Sequence, residues 1–137
     1  MKIKSSCSEV MKDKLIVLTE RKNKSNITLQ NKSEEFVTKV RVDGCHIMDN
    51  QPKCDFLVLK NSEEYFVELK GQNIEHAFKQ LIRTMKLLRK NMGLVNCMVI
   101  CTRSPLSSVK IQNEAKKFRK KYNAKLIVKK SGNTYPI

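Results

Sequence analysis

The chain is short of several things, and each shortage closes a class of function. It has four Gly. None falls in a GxGxxG or GxxxxGK arrangement, so it has no glycine-rich loop to cradle a phosphate. Its two His, His46 and His76, have no second His at ligand spacing, which argues against a histidine-based metal cluster. No apolar stretch approaches the ~20 residues that cross a bilayer. The longest, Leu94 to Cys101, contains Asn96 and reads as a buried strand. The first residues, MKIKSSCSEV, lack the apolar core of a secretion signal, so a cytoplasmic location and no membrane partner are expected. The five Cys are odd in number and lack disulfide-framework spacing; reduced thiols are the expectation in that compartment. Cys97 and Cys101 share one face of an apolar strand, which points to core packing, since zinc pairs favour C-x₂₋₄-C in loops. No repeat, linker or low-complexity segment is evident.

Acidic residues are scarce in one part only. Up to Glu75 there are 13 Lys and Arg against 12 Asp and Glu; from His76 onward there are 15 against one, Glu114. Almost all of the +15 net charge therefore lies in the C-terminal part. An excess of that size suggests an anionic polymer, most simply nucleic acid. A solvated Lys-rich surface is the plainer alternative. With 137 residues, 40% of them hydrophobic, the chain suits one domain with a modest core.

The N-terminal third reads two ways. Glu9 to Leu18 fits an amphipathic helix starting near Ser8, while Leu15 to Leu18 fits a strand equally. Ile27 to Leu29 suggests an edge strand. Glu35 to Val42 alternates as a half-buried strand, Asp43-Gly44 is a turn dipeptide, and Cys45 to Met48 is expected to continue as strand. Two more strands follow, Cys54 to Lys60 and Glu64 to Lys70, joined by a turn at Asn61-Ser62-Glu63, which makes an antiparallel meander. Ile74 to Lys90 is helical: Ile74, Ala77, Phe78, Leu81, Ile82, Met85 and Leu88 form an apolar face. Lys79, Arg83, Lys86 and Lys90 form a basic stripe that could follow a phosphate backbone. Leu94 to Cys101 is expected to run parallel to the Glu68 strand, because a helix separates them. Ser104-Pro105 and Ser107-Ser108 start another helix, with Val109 or Ile111, Ala115, Phe118 and Tyr122 on its apolar face. Ala124 to Lys130 is a last strand, and Ser131 to Ile137 reads as a tail.

The informative stretch is KCDFLVLKNSEEYFVELKGQ, Lys53 to Gln72. Alternate strand residues share a face, so Glu68 and Lys70 lie side by side above Phe66. A hairpin of this length brings Asp55 near Glu68. Two close carboxylates repel unless a cation lies between them, and hard oxygen ligands suit Mg²⁺ or Mn²⁺. Asp55, Glu68 and Lys70, with Gln72 just beyond, resemble the PD-(D/E)xK nuclease superfamily. One departure is that Cys54 stands where the family usually has Pro. The resemblance implies an α/β restriction-endonuclease-like fold, a mixed central sheet flanked by helices, with an αβββαβ core plus a C-terminal helix and strand. It implies hydrolysis of DNA phosphodiesters, with the metal on Asp55, Glu68 and the backbone carbonyl of Leu69. Lys70 would orient or deprotonate the attacking water, with Gln72 beside it. Gln80 resembles a helix residue that supports the site in several branches of the family. An N-terminal helix would add a carboxylate from Glu9, or Glu34 or Glu35 if that element lies later. Cutting both strands of a duplex implies a homodimer. The alternative reading is a non-catalytic nucleic-acid-binding module that keeps the fold.

Overall fold

The structure is a computed structural model that describes residues 2–20, 24–70, 74–103 and 107–137. A 3-10 turn, Ser5–Cys7, precedes β1 (Ser8–Met11), β2 (Leu15–Thr19), β3 (Asn26–Gln30), β4 (Val37–Arg41), β5 (Phe56–Lys60) and β6 (Glu63–Lys70). Then come α1 (Ile74–Leu88), β7 (Val95–Cys101), α2 (Ser108–Tyr122), β8 (Ala124–Lys130) and β9 (Thr134–Pro136). Six strands form a mixed sheet in the order β1-β4-β5-β6-β7-β8, and β2-β3-β9 form a second sheet. The expected meander is present as β4, β5 and β6, all antiparallel. β6, β7 and β8 are parallel, as strands joined by helical crossovers are.

The central strands are apolar throughout because the sheet is covered on both sides. On one face Leu57, Phe66 and Val99 pack against Leu81 and Met85 of α1 and Phe118 of α2. On the other, Phe56, Val67, Leu69 and Ile100 meet Ile16 and Leu18 of β2 and Ile27 and Leu29 of β3. Phe118 sits edge-on to both Phe78 and Tyr122, with ring centroids 5.9 Å apart in each pair. α2 buries little else: Val109 is exposed, so of the two residues offered for its first turn only Ile111 turns partly inward. Ser107 caps that helix by accepting from the Lys110 N–H at 3.3 Å.

Several expectations are corrected. No helix starts near Ser8: that stretch is β1 and β2, placed in different sheets. β-Branched residues at 16, 17 and 19 favour strand, and the inner face of β2, Ile16 and Leu18, is completed by the second core. Ile27 to Leu29 is not at an edge, because β3 is the middle strand of the small sheet. The C-terminal segment is not a tail: β9 pairs in parallel with β3, and Tyr135 and Ile137 pack on the second core. Cys45 to Met48 is a turn rather than a strand, held by His46 and Ile47 N–H groups donating to the Arg41 and Val42 carbonyls. Cys7 and Cys45 form a disulfide, where reduced thiols were expected. It spans 38 residues of sequence; in the chain-entropy account a closure of that length contributes about 4 kcal/mol. Cys54, Cys97 and Cys101 are free and buried. No described helix is long and apolar enough to cross a membrane.

Arg89 joins the two helix ends. Its guanidinium donates to the carbonyl oxygens of Asn91, Gly93, Tyr122 and Asn123, which places a cation at the C-terminus of α2. Arg89→Leu is expected to lower stability by about 2–3 kcal/mol, since charge-assisted bonds to carbonyls that are then left unpaired are among the stronger ones. Urea unfolding of the variant checks this; a loss below ~0.5 kcal/mol would show that water replaces the clamp.

Candidate active site

Pairing of Phe56 with Val67, extended by one residue, sets Asp55 opposite Glu68. The Asp55 N–H donates to the Val67 carbonyl at 3.1 Å. The Leu69 N–H donates to Asp55 Oδ2 at 2.8 Å. Parity with Leu57 and Phe66 directs both carboxyls, and Lys70, to the face that carries α1. Lys70 Nζ lies 3.9 Å from Glu68 Oε2 and donates to Gln80 Oε1 at 3.2 Å. Gln80 Nε2 donates to the Lys53 carbonyl at 3.0 Å. One turn on, Thr84 accepts from the Cys54 N–H and donates to the Gln80 carbonyl, both at 2.8 Å. Gln80 and Thr84 thus lock α1 to the start of β5 and hold the lysine at the carboxylate pair. Asp55, Glu68, Lys70 and Gln80, four of the residues singled out in the sequence, meet here. Gln72 lies outside the described residues.

The pair is electrostatically strained. Asp55 and Glu68 are 5% and 3% exposed. Burial, then the Asp55 charge, pushes Glu68 up to about 9, against a smaller pull from Lys70. Burial also raises Asp55, to about 6, against the Leu69 N–H that stabilises its anion. Each carboxyl feels the other, the Asp55 charge raising Glu68, so the pair is kept from ionising fully without a cation. Among the described residues Glu68 Oε1 is buried without a hydrogen-bond partner, an arrangement that a folded protein rarely keeps. A cation is what this donor set fits: it would offset the repulsion between the two carboxyls and engage the orphaned oxygen. Among the described residues no group of three or more His, Cys, Asp or Glu is placed to hold a metal. A cation here would take two carboxylates, with further oxygens from backbone, water or substrate, which is the usual habit of Mg²⁺.

Other carboxylates bear on the pair, and they are not the expected ones. Glu20 raises Asp55, and Asp43 raises both Asp55 and Glu68. Glu9 is instead paired with Lys39 at 4.0 Å, Glu35 accepts from Asn61 at 2.5 Å, and Glu34 occupies a left-handed turn position, φ 52°. Glu20 was missed, yet it has a signal: it continues the inward parity of Ile16 and Leu18 in β2. The Ser25 hydroxyl, at the start of β3, donates to the Lys70 carbonyl at 3.1 Å, so this end of the small sheet abuts the site.

Of the basic stripe, Lys79, Lys86 and Lys90 are exposed. Arg83 is engaged, with Nη2 2.9 Å from Asp49 Oδ2 and Nη1 3.0 Å from the Pro52 carbonyl. Lys86 Nζ stands 5.9 Å from the Tyr122 ring centroid. His76 is exposed; partial burial, then Lys70 and Lys79, lowers its pKa. No protein-family model matches the chain, and no curated protein or solved structure shows a significant match to it.

Proposed function

We propose that the chain is a divalent-metal-dependent endonuclease of the PD-(D/E)xK type, with a restriction-endonuclease-like fold, acting on DNA. One observation carries the reading: a buried glutamate oxygen with no hydrogen-bond partner among the described residues, on a carboxyl that faces a second buried carboxyl, beside a lysine held by a glutamine. An ordinary surface ion pair would leave no buried orphan. The coarse topology supports it: an antiparallel meander, then helix, parallel strand and helix on one face of a mixed sheet. The basic C-terminal part suits a polyanionic substrate.

In this reading Asp55, Glu68 and the Leu69 carbonyl hold Mg²⁺ or Mn²⁺. When bound, the ion supplies Lewis acidity toward a phosphodiester oxygen and makes a nearby water more acidic. Lys70, steadied by Gln80, orients that water, takes its proton, or neutralises charge gained by the phosphate. Lys79, Lys86 and Lys90 attract the backbone, Arg83 helping if it leaves Asp49. A cytoplasmic homodimer would cut both strands of a duplex.

The test is incubation of supercoiled plasmid and of a four-way junction with the protein in Mg²⁺ or in EDTA. Metal-dependent cutting supports the proposal, and binding without cutting that ignores EDTA would favour a non-catalytic module. Metal affinity should also depend on pH. Between about 6 and about 9, the values for Asp55 and Glu68, metal displaces one proton, so Mn²⁺ affinity is expected to rise roughly tenfold per pH unit and then level. Calorimetric titration of the protein without DNA reads this; an affinity flat across that window would argue against a metal on this pair.

A further inference from the structure

Cys7 and Cys45 lie far from the sheet's parallel half, yet their bond is tied to the candidate site by backbone. Cys45 belongs to the turn after β4. The Val42 N–H donates to the Asp55 carbonyl at 2.9 Å, and the Ile47 N–H returns to the Val42 carbonyl at 3.0 Å. The turn needs Gly44 at φ 77° and carries Asp43, an exposed carboxylate whose charge bears on the carboxylate pair. From the other side, the Lys4 N–H donates to His46 Nδ1 at 3.3 Å, and the Cys7 N–H donates to the Lys4 carbonyl at 3.1 Å. The N-terminal turn thus pins the loop through one covalent bond and one weak hydrogen bond.

The disulfide lines an open cleft of about 260 Å³. Its other walls include Lys39, Arg41, Phe56 and one carboxylate, Glu9. Glu9 is partly neutralised by Lys39 at 4.0 Å, and Arg41 lies over the Phe56 ring, 5.0 Å from its centroid. The cleft therefore has the size for a small peptide and a net positive lining. Cys45 is the more exposed partner, while Cys7 is 8% exposed.

We propose that the Cys7–Cys45 disulfide is an exchange site for anionic low-molecular-weight thiols, and that opening it releases the 42–47 turn from its fixed position against Asp55. The proposal rests on the bond, the cleft and the turn, and holds whatever chemistry Asp55 and Glu68 perform. The incoming thiolate attacks Cys45 Sγ. The Sγ–Sγ bond breaks, and Cys7 leaves with the electron pair and takes up a proton as pH requires. A mixed disulfide remains on Cys45. A second small thiol attacks the small-molecule sulfur of that bond and frees Cys45. The protein disulfide gains two electrons, and two thiols become one small-molecule disulfide. Lys39 and Arg41 favour carboxylate-bearing thiols by charge.

The test uses the full oxidised chain with glutathione (anionic), 2-mercaptoethanol (neutral) and cysteamine (cationic), rates being normalised to thiolate concentration. Intact mass after acid quench follows the reaction, and peptide mapping locates the adduct. The expected order is anionic, neutral, cationic, with roughly a tenfold span that Lys39→Ala/Arg41→Ala collapses toward one. Deuterium uptake over residues 42–47 should rise on reduction, and equally in Cys7→Ser/Cys45→Ser without reductant. If the double serine variant loses its far-UV circular dichroism, the reduced wild type decides. Equal rates for glutathione and cysteamine, unchanged uptake on reduction, or a fully reduced chain after air oxidation would each overturn the proposal.

Discussion

Lys70→Ala is expected to slow metal-dependent plasmid cleavage by about 10²–10⁴-fold, the range that a positioned proton-transfer group supplies. DNA affinity should change little, because one partly exposed cation among 28 Lys and Arg adds a small share of the counterion-release term. Stability should also hold. The side chain is 23% exposed and its contact with Glu68 is 3.9 Å, long for an ion pair, so its removal costs about 1 kcal/mol or less. Removing the cation takes away the influence that lowers Glu68, so the pair should hold its proton more firmly and bind metal more weakly. Single-turnover cleavage at saturating Mn²⁺ therefore separates loss of metal from loss of the lysine. Gln80→Ala tests the support separately: it unfixes Lys70 and leaves it present, so a loss near tenfold is expected, with the pH–rate profile shifted. Full cutting by Lys70→Ala would remove the lysine from the chemistry.

Glu68→Gln should abolish cutting and yet stabilise the metal-free protein. The sign follows from proton binding. Glu68 in the folded chain holds its proton up to about 9, against 4.5 for an ordinary glutamate. Between those values the folded state binds more protons than the unfolded one, so stability falls as pH rises. At pH 7 the loss amounts to about 3 kcal/mol at most, and less once the site relaxes. Glutamine keeps the shape, offers Asp55 an N–H donor and has no charge to desolvate. Urea unfolding of wild type and variant at pH 5, 7 and 9 is the measurement. The wild type should weaken across the series and regain stability with Mn²⁺, while the variant stays nearly level and indifferent to metal. A wild type that is equally stable at all three pH values would mean that water or a rearranged Lys70 already satisfies the pair.

The central meander, the 74–88 helix, the parallel β7 and the last strand of the large sheet were readable from the chain, as was the pairing of Asp55 with Glu68 and Lys70. These depend on short-range rules: alternation sets which side chains share a face, and a hairpin turn sets which strand positions oppose each other. Gln80 reaches Lys70 because a helix that follows β6 directly packs back over it. What lay beyond reading depends on contacts distant in sequence. Leu15 to Leu18 was ambiguous because four apolar residues satisfy either period. Only the packing of Ile16 and Leu18 on the far face of the large sheet makes them strand. β9 is visible only when β3 offers it an edge. Glu20 and Asp43 approach the carboxylates through the placement of a hairpin end and a turn, neither encoded by local spacing. Cys7 and Cys45 meet only because β1 pairs with β4, which brings the segments at their ends together. By itself, then, the sequence determined the strands β4 to β8 of the large sheet, the main helix and the acidic pair with its lysine, since each is a matter of neighbours along the chain. Tertiary structure alone decided the second sheet, the disulfide and the outer carboxylates, because each needs two segments that only the completed cores bring into contact.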